Sequence, residues 1–398
     1  MKLRTVNILI FLILLGSIAC EPEYQFMSID DTEGCDQVST TDASHPKAIT
    51  LQETLDEYTA KGIPGLSVFV QTADGQVWTG ASGYSRIEDN LPMTPCNKIY
   101  TASIGKTFCA VSVLLLAQDG LVDLDDAISQ HIPEEILQGF THTDIITVRQ
   151  LLNHTSGLTN LDWNTKFISD VFNDPFEITT DDLLEYERGE GSLFEPGTDF
   201  NYSSTGYELL AALVEAKTGN HAAFYTERIF KPLGLTETYY KNEASYPTPT
   251  SLVNGYWDRF DTEQLENISD VNNHLTSIFT GSDGLITTPQ DLYTFLKAIG
   301  NEGFLSESIK TEMLDFVTTG GSTYIGYGLG LWQIKTDYGI AYGHDGDAIG
   351  AGADMWYFPE KDTYIIVATN LGTVLSDTKL SILYNDDFLD AILKVVME

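Results

Sequence analysis

The first and last parts of the chain carry short apolar runs of the kind that form β-strands. Residues 66–70 and 76–79 flank Asp74-Gly75, a dipeptide that favours a tight hairpin turn. Residues 353–358 and 363–368 form a second pair of runs on either side of a Pro-Glu-Lys-Asp turn. Both pairs contain β-branched and aromatic residues, which fit a pleated sheet. The pattern therefore predicts one hairpin near each end.

Helical spacing dominates elsewhere. Leu51, Leu55 and Tyr58 recur at three- and four-residue intervals and predict an amphipathic helix before the first hairpin. An apolar run over residues 110–117 predicts a buried helix, and a final helix is expected from about residue 377 to 396.

Strands at both ends and a long helical middle predict an α+β fold. We expect one antiparallel sheet, flanked by N- and C-terminal helices, with a mainly helical subdomain inserted between its strands. The predicted division of the chain is a signal peptide over residues 1–19, a flexible tether over 20–45 and one domain over 46–398, with its sheet part at about 46–100 and 300–398 and its helical part at about 101–299.

The N-terminus has the pattern of a secretory signal of the lipoprotein type. Lys2 and Arg4 precede an apolar stretch over residues 8–18, which is too short to span a bilayer comfortably. The Ser-Ile-Ala-Cys ending at Cys20 resembles a bacterial lipoprotein cleavage site, although Ser17 stands where an aliphatic residue is commoner. We expect an extracytoplasmic protein, in the periplasm or at the cell surface, with a lipid on Cys20. Ordinary signal cleavage and an uncleaved anchor are the alternatives.

The charge is strongly negative. Asp and Glu number 58 against 21 Lys and Arg, which gives a formal net charge of −37. Such a surface repels nucleic-acid phosphates and anionic lipid head groups, so no nucleic-acid partner is expected, and membrane contact is expected only through Cys20.

The four cysteines do not form a metal-binding pattern, because no Cys-x-x-Cys spacing occurs. Cys35 and Cys96 could form one disulfide in an oxidising compartment, which the sequence does not decide. Cys109 is expected to be a small core residue. No metal or organic cofactor is expected, because the chain has no His-Glu-x-x-His, Walker or dinucleotide-binding motif.

A Ser-x-x-Lys pattern opens the central apolar run. Ser103 and Lys106 lie three residues apart, which places them on one face of a helix. A serine hydroxyl is a weak nucleophile until a base takes its proton, and a lysine buried among apolar residues loses its charge readily enough to be that base. The pattern alone is weak, because Ser376 and Lys379 repeat it. We interpret that second copy as the solvent-facing start of the C-terminal helix.

Tyr202 follows a turn-forming segment and is a candidate proton carrier. A phenol near a lysine ammonium can ionise more easily and move a proton between nucleophile and leaving group. Tyr240 begins a rival Tyr-x-Asn pattern, but it follows a Pro-Leu-Gly-Leu turn and is interpreted as structural.

His344, Asp345 and Gly346 stand in a glycine-rich segment just before the last predicted hairpin. Glycines there let a strand edge approach a substrate closely. The backbone N–H after Gly346 and that of Ser103 could form an oxyanion hole. His154 lies in a His-Thr-Ser grouping typical of loop caps, so we expect no direct chemical role for it.

These three elements, in this order, resemble the serine β-lactamase and penicillin-binding protein superfamily, in the branch related to class C β-lactamases, D-alanyl-D-alanine carboxypeptidases and esterases. The resemblance runs from about residue 49 to 396 and implies a β-lactamase/transpeptidase-like fold. Further segments similar to the family stand at residues 151–158, 194–207, 206–210, 232–235, 281–285 and 327–332.

The resemblance implies that Ser103 is the acylated nucleophile, Lys106 its activating base and Tyr202 the proton shuttle. The residues that it implies for the substrate and oxyanion side of the site are Ser204, His344, Asp345, Gly346 and Asp347.

Two positions depart from the family pattern. Ser204 stands where the family often has Asn; a serine can still bond to Lys106 or to the substrate amide, but it reaches less far. Asp345 stands where many penicillin-recognising relatives have Thr against the substrate carboxylate, and Asp347 follows it. A carboxylate ligand would meet repulsion of about 1–4 kcal/mol at this rim. We therefore predict weaker β-lactam turnover than in a dedicated β-lactamase.

The function that the sequence favours is a serine hydrolase that forms an acyl-enzyme on Ser103. Its expected substrate is a small peptide or ester, with activity like that of a D-alanyl-D-alanine carboxypeptidase, D-peptidase or esterase. The alternatives are a β-lactamase and a non-hydrolytic penicillin-recognising module.

Overall fold

The computed structural model describes residues 45–240, 251–301, 303–375 and 378–398. The signal peptide predicted over residues 1–19 lies outside the described residues, as do Cys20, Cys35 and all but the last residue of the tether. The expectations about lipidation and about a Cys35–Cys96 disulfide therefore stay predictions.

The described residues contain helices and strands at the positions that the hydrophobic pattern favours. The α-helices are α1 (Ala48–Ala60), α2 (Gly105–Gln118), α3 (Glu134–Leu137), α4 (Val148–Leu152), α5 (Thr165–Asn173), α6 (Thr180–Glu185), α7 (Ser204–Thr218), α8 (His221–Tyr225), α9 (Lys231–Leu233), α10 (Ser269–Ile278), α11 (Pro289–Gly300), α12 (Glu307–Met313), α13 (Lys379–Ile382) and α14 (Leu389–Met397). The strands are β1 (Gly65–Gln71), β2 (Val77–Arg86), β3 (Leu91–Pro92), β4 (Ile99–Tyr100), β5 (Tyr239–Tyr240), β6 (Tyr256–Trp257), β7 (Glu266–Asn267), β8 (Leu285–Thr287), β9 (Val317–Thr318), β10 (Tyr324–Tyr327), β11 (Trp332–Thr336), β12 (Gly339–Ala348), β13 (Ala351–Phe358) and β14 (Thr363–Thr369).

Strands from both ends of the chain form one antiparallel sheet, which confirms the predicted α+β fold. Within the described residues the sheet has nine strands in the order β3-β2-β1-β14-β13-β12-β11-β10-β9. The strands from the two ends of the chain meet where β1 pairs with β14, with Val68 opposite Val367. Helices α2 to α11 belong to the segment between β4 and β9.

The first predicted hairpin forms at Asp74-Gly75. Gly75 adopts a φ of +81°, which only glycine tolerates easily. The Asp74 carboxylate accepts bonds from the Thr72 hydroxyl at 2.7 Å and from the Gln76 backbone N–H at 3.2 Å. These contacts fix the turn between β1 and β2.

The sheet separates two hydrophobic cores, because alternate residues of a strand point to opposite faces. Val68 packs with α1 and the C-terminal helix, whereas its neighbour Phe69 belongs to the core that contains α2 and α7. Burial on both faces explains why every residue of β1 is buried.

The last predicted helix is continuous but irregular: α13 leads through a π-helical segment, Leu383–Phe388, into α14. Its apolar face packs against α1 through the Tyr58 and Phe388 rings, whose centroids lie 5.1 Å apart. In the described part of the chain no helix combines the length and hydrophobicity that crossing a membrane requires.

Helix α2 is buried almost from end to end, with 12 of its 14 residues buried. An apolar helix of this kind belongs in a core between other elements. Its N-terminus follows a short 3₁₀ turn, Ala102–Ile104, that lies against β12. The fold thus holds Ser103 at the junction between the sheet and the helical part.

Candidate active site

Ser103 is held in a turn whose backbone leaves little room. Ala102 adopts a φ of +46°, a left-handed conformation that is strained for a residue other than glycine. A Cβ at Gly346 would lie 2.1 Å from the carbonyl oxygen of Thr101. Because Gly346 has no side chain, β12 can approach the backbone that leads into Ser103. Gly346 thus contacts this turn, whereas a contact with the substrate was expected.

Lys106 lies next to Ser103 at the bottom of the site. Its Nζ is 3.1 Å from Ser103 Oγ and donates to the carbonyl oxygen of Ser282 at 3.3 Å. Lys106 is 1 % exposed, and this burial lowers the pKa of its ammonium. The charges of Asp162 and Glu208 oppose that shift.

Glu208 on α7 shapes the loop that supplies the Ser282 carbonyl. Its buried carboxylate accepts the Ser282 N–H at 3.0 Å, the Ser282 hydroxyl at 2.7 Å and the Thr280 N–H at 2.9 Å. The sequence does not indicate this role of Glu208, because a glutamate within a helix carries no sign of a partner more than seventy positions away.

Tyr202 lies on the other side of Lys106. The Lys106 Nζ is 4.8 Å from the centre of the Tyr202 ring, which stacks on Trp332 at 5.5 Å. Burial raises the pKa of the Tyr202 phenol well above its usual value, and an interaction with the Ser103 hydroxyl only partly opposes this. Burial thus favours the protonated phenol, whereas a phenol that ionises more easily beside Lys106 was expected.

His154 supports Tyr202 from behind. It is 0 % exposed, and its ring centre lies 4.4 Å from that of Tyr202. Its Nδ1 accepts the Ser203 backbone N–H at 3.1 Å, which leaves the proton of the neutral ring on Nε2. Burial lowers the pKa of His154 well below its usual value, so the ring is uncharged.

Ser204 faces a partner that the sequence did not indicate. Its hydroxyl donates to Asp162 Oδ2 at 2.6 Å, and its N–H donates to the Asn160 side chain at 2.9 Å. The expected contact between Ser204 and Lys106 is thus replaced by a contact with Asp162. Asp162 follows a loop that no motif marked, so only the fold brings it to the site.

The structure places His344 behind the site rather than in it. The ring is 0 % exposed, and its Nε2 lies 3.0 Å from the Tyr327 hydroxyl. Burial lowers the pKa of His344 to about 3, so the ring is neutral at ordinary pH. His344 was expected to line the cleft. Its ring instead packs on the core side of β12.

Asp345 and Asp347 do face the cleft. Asp345 accepts a hydrogen bond from the Tyr324 hydroxyl. Burial, and then the charge of Asp347, raise the pKa of Asp345 to about 7. Asp354, directly opposite Asp345 on β13, has its pKa raised to about 6 by burial. The rim is acidic, as expected, but part of its charge is lost near neutral pH.

The end of β12 that carries these residues is a free edge beside Ser103. In the described residues, β11 pairs with β12 only as far as Gly343. The oxyanion hole expected from the N–H groups after Gly346 and of Ser103 stays a prediction.

A cavity of about 500 Å³ opens over Ser103. Its polar lining includes all three residues of the predicted catalytic set, together with Ser204, Asp345 and Asp347, but neither His344 nor Gly346. The apolar residues that line it are Trp163, Phe167, Ile168, Val171, Leu275, Phe279, Trp332, Ile349, Val374 and Leu375. No group of His, Cys, Asp or Glu side chains among the described residues is arranged to hold a metal ion.

The rival patterns lie elsewhere. Tyr240 is buried, and its hydroxyl donates to the carbonyl oxygen of Thr280 at 2.6 Å. Lys379 is exposed at the start of α13 and pairs with Glu263 at 2.7 Å. Its partner in the pattern, Ser376, lies outside the described residues.

Comparison with known proteins identifies the family of this chain. The family model described as Beta-lactamase matches residues 51–384. The chain belongs to the beta-lactamase family. This confirms the resemblance to the serine β-lactamase and penicillin-binding protein superfamily, and the match runs from within α1 to the start of the π-helical segment after α13.

A penicillin-binding protein is among the curated relatives of this chain. Penicillin-binding protein 4* of Bacillus subtilis is 28% identical over 297 residues, which are 72% of this chain and 64% of that protein. The chain thus spans less than two thirds of the length of the first curated relatives that it matches.

Two solved structures share the fold over nearly their whole length. D-amino acid amidase from Ochrobactrum anthropi SV3 superposes with a TM-score of 0.76 at 24% identity, over 88% of this chain and 98% of the amidase. D-stereospecific amidohydrolase from Streptomyces sp. superposes with a TM-score of 0.72 at 27% identity, over 86% of this chain and 99% of the amidohydrolase. These superpositions show that the family member described here shares its fold with both amide-cleaving proteins.

Proposed function

We propose that this protein is a serine hydrolase that forms an acyl-enzyme on Ser103 and cleaves an amide or an ester. One observation supports this above the others: Ser103 Oγ lies 3.1 Å from a fully buried Lys106 Nζ, with Tyr202 beside both, at the bottom of an open cavity. A nucleophile, its base and a neutral phenol are the groups that acyl transfer needs.

In the first step Lys106 acts as the base. Its lowered pKa favours the neutral amine, which takes the Ser103 proton while Oγ bonds to the substrate carbonyl carbon. The C=O π electrons move to oxygen and give a tetrahedral oxyanion. The positive charge that forms on Lys106 is stabilised by the Ser282 carbonyl and by the nearby carboxylates of Asp162 and Glu208.

In the second step the leaving group departs as a neutral amine or alcohol. Tyr202 is protonated, because burial raises its pKa, so it can donate its proton to the leaving atom and recover one from Lys106. The carbon–leaving-group bond breaks, and the acyl group remains on Ser103. Water then attacks the ester carbon and gives a proton to Lys106. The bond between that carbon and Ser103 Oγ breaks, Lys106 returns the proton to Oγ, and the acid is released.

The proposed substrates are D-amino-acid peptides or amides and small esters. The name of the 27% identical Streptomyces protein, a D-stereospecific amidohydrolase, supports the amide class. The acidic rim of Asp345 and Asp347 disfavours ligands with a carboxylate, so β-lactam hydrolysis is the weaker alternative.

A fluorophosphonate probe tests the catalytic claim. We expect the purified protein to gain one label, located at Ser103 by mass spectrometry, and the Ser103→Ala variant to gain none. The same proteins are then assayed on a p-nitrophenyl ester, a D-Ala-D-Ala peptide and nitrocefin. Labelling without turnover of any of them would favour a binding module, and faster turnover of nitrocefin than of the ester would favour a β-lactamase.

A further inference from the structure

Tyr202 lies outside the helices and strands, in the segment that leads into α7. The proposed second step requires its hydroxyl to come within about 2.6–3.2 Å of the leaving atom. A displacement of about 1 Å at such a group can lower a rate about 100-fold. Because Tyr202 belongs to no helix or strand, its position depends on the residues that hold the backbone on either side of it.

His154 holds that backbone on both sides. The Asn201 backbone N–H donates to the His154 carbonyl oxygen at 2.9 Å, and the Ser203 backbone N–H donates to the His154 Nδ1 at 3.1 Å. The His154 ring also packs on the Tyr202 ring, with 4.4 Å between the ring centres. One residue thus contacts the peptide units directly before and after Tyr202 and the phenol ring itself.

His154 is itself held firmly in place. Its φ of +61° is a left-handed conformation, which a residue with a Cβ keeps only where the surrounding structure requires it. It follows α4, where the Leu152 carbonyl oxygen accepts the Tyr207 hydroxyl of α7 at 2.7 Å. Its buried ring lies 4.5 Å from the centre of the Tyr327 ring and 5.1 Å from that of Tyr207. His154 therefore links the end of α4 to the chain that carries Tyr202.

The polarity of the His154 ring indicates that its Nδ1 is the atom that matters. The other ring nitrogen, Nε2, is buried and has no hydrogen-bond partner in the described residues. An unpaired buried donor costs free energy, and a phenyl ring could fill the same space without one. A phenyl ring would, however, leave the Ser203 N–H without its acceptor. Burial, and then the charge of Lys106, lower the pKa of His154, so Nδ1 keeps the lone pair that accepts this bond.

We propose that His154 is a positioning residue for protonation of the leaving group, because it holds Tyr202 where the phenol can reach the departing atom. This proposal rests on the proposed serine hydrolase function and adds a residue to its second step. In that step the bond from the acyl carbon to the leaving atom breaks. Its electron pair stays on the leaving atom and takes the Tyr202 proton, and the Tyr202 oxygen regains a proton from the Lys106 ammonium.

The proposal predicts an effect that depends on the leaving group. The p-nitrophenolate ion is stable in water and departs without a proton, whereas an alkoxide needs one as it departs. A displaced Tyr202 should therefore slow the cleavage of an alkyl ester far more than that of a p-nitrophenyl ester. A general defect of the site would slow both esters alike.

Ethyl butyrate and p-nitrophenyl butyrate test this, because they share one acyl group and differ only in the leaving group. For each variant the measured quantity is the ratio of kcat/KM for the ethyl ester to kcat/KM for the p-nitrophenyl ester, followed in a pH-stat. We expect this ratio to fall about 30-fold in His154→Phe, which keeps a ring but loses the acceptor. It should stay within about threefold of wild type in His154→Asn, because Asn tolerates a left-handed φ and its Oδ1 can accept the Ser203 N–H.

A matched control comes from a second histidine of the chain. The His131 side chain is 7 % exposed, its Nε2 lies 3.0 Å from Asp126 Oδ2, and its buried Nδ1 has no hydrogen-bond partner in the described residues. His131→Phe should therefore keep the wild-type ratio. Thermal unfolding checks the fold of every variant. If the phenyl ring prevents folding, His154→Ala, which removes the acceptor without adding bulk, takes its place beside His154→Asn.

A double substitution tests whether His154 acts through Tyr202. Tyr202→Phe removes the proton that the leaving group needs, so it should lower the same ratio by itself. Adding His154→Phe to Tyr202→Phe should then lower the ratio no further, since nothing remains to be positioned. Losses that multiply in the double variant would show that His154 acts elsewhere, and the proposal would be wrong.

The remaining outcomes separate this proposal from the hydrolase function. Equal slowing of both esters in His154→Phe, or a loss in His154→Asn as large as in His154→Phe, would overturn the positioning role and leave the hydrolase intact. A wild-type protein that takes the fluorophosphonate label at Ser103 but cleaves only the p-nitrophenyl ester would also overturn it, because no protonation of the leaving group would be at work. Absence of labelling and of all turnover would overturn the hydrolase itself.

Discussion

Lys106 and Lys379 both stand at the fourth position of a Ser-x-x-Lys pattern, and their surroundings differ in almost every respect. Lys106, at the start of α2, is 1 % exposed, and burial lowers its pKa. Lys379, at the start of α13, has a 64 % exposed side chain, and the hydrogen bond that it donates to Glu263 raises its pKa. The same spacing therefore gives a candidate base in one place and an ordinary surface cation in the other.

The difference is made by what surrounds each helix. The run after Lys106 is apolar on every face, so α2 can only be placed inside the core, and its first turn is desolvated with it. Lys379 begins a helix with a single apolar face and keeps its ammonium in water. A four-residue motif becomes chemically meaningful only through the burial of the helix that follows it.

The largest expected effect comes from replacing the two lysines in parallel. Lys106→Met keeps the length of the side chain but removes the base, so we expect kcat/KM on a neutral ester to fall about 10³-fold. Lys379→Met should stay within about twofold of wild type, because it loses only an exposed ion pair. Steady-state kinetics with thermal unfolding as a folding control measures both.

If Lys106→Met and Lys379→Met lost kcat/KM equally, the buried lysine would have no catalytic role that the exposed lysine lacks. A fall in Lys106→Met activity accompanied by loss of cooperative unfolding would instead report a folding defect. In that case Lys106→Arg, which keeps the charge but is not easily deprotonated, repeats the test.

The sequence predicts the parts of the fold and site that depend on local patterns. The hairpin at Asp74-Gly75, the buried α2 and the order Ser103, Lys106, Tyr202 all follow from spacing or from family motifs. Glu208 and Asp162 do not, because their partners lie far away in the chain and no residue type marks them. His344 shows the converse: its motif places it on β12, but only the packing of Tyr327 reveals that the ring points into the core.

A second, smaller effect is expected from Glu208→Gln. The substitution replaces one carboxylate oxygen, which accepts hydrogen bonds from the Thr280 and Ser282 N–H groups, with an NH₂ group that can only donate. The loop that bonds to Lys106 should therefore shift, and we expect kcat to be about 10- to 100-fold lower. Loss of the negative charge also destabilises the Lys106 ammonium and lowers its pKa further. Because the neutral amine is the base, the acid limb of the pH–rate profile should move to lower pH.

The control on the same helix is Glu215→Gln, whose half-exposed carboxylate accepts the His221 backbone N–H and contacts the His221 ring. It should leave both kcat and the position of the acid limb unchanged. A lower rate in Glu208→Gln without any movement of the limb would mean that Glu208 acts only on loop structure and not on the charge of Lys106.

Asp162→Asn is expected to have a weaker effect on rate but the same direction in pH. Asp162 is the charge that most strongly supports the Lys106 ammonium, so its neutralisation should move the acid limb to lower pH, with kcat/KM changed by about threefold. Ser204→Ala removes the 2.6 Å contact to Asp162 but no charge, so its acid limb should stay in place. A limb that moves equally in both variants would show that the hydrogen bond, rather than the charge, controls Lys106.

The last prediction concerns stability rather than rate, and it applies the comparison of buried and exposed charges to Asp345. Burial raises the pKa of this carboxyl from 3.8 to about 7, the direction opposite to Lys106 but with the same cause, since both shifts favour the neutral form. Between these two values the folded protein holds a proton that the unfolded chain has released, so stability must fall as pH rises through this window. Asp345→Asn removes that loss. We expect the variant to gain on the order of 1–3 kcal/mol relative to wild type between pH 5 and pH 8.5, measured by urea unfolding at both pH values. A difference between the proteins that is the same at both pH values would show that Asp345 carries its charge in the folded state as easily as an exposed carboxylate does.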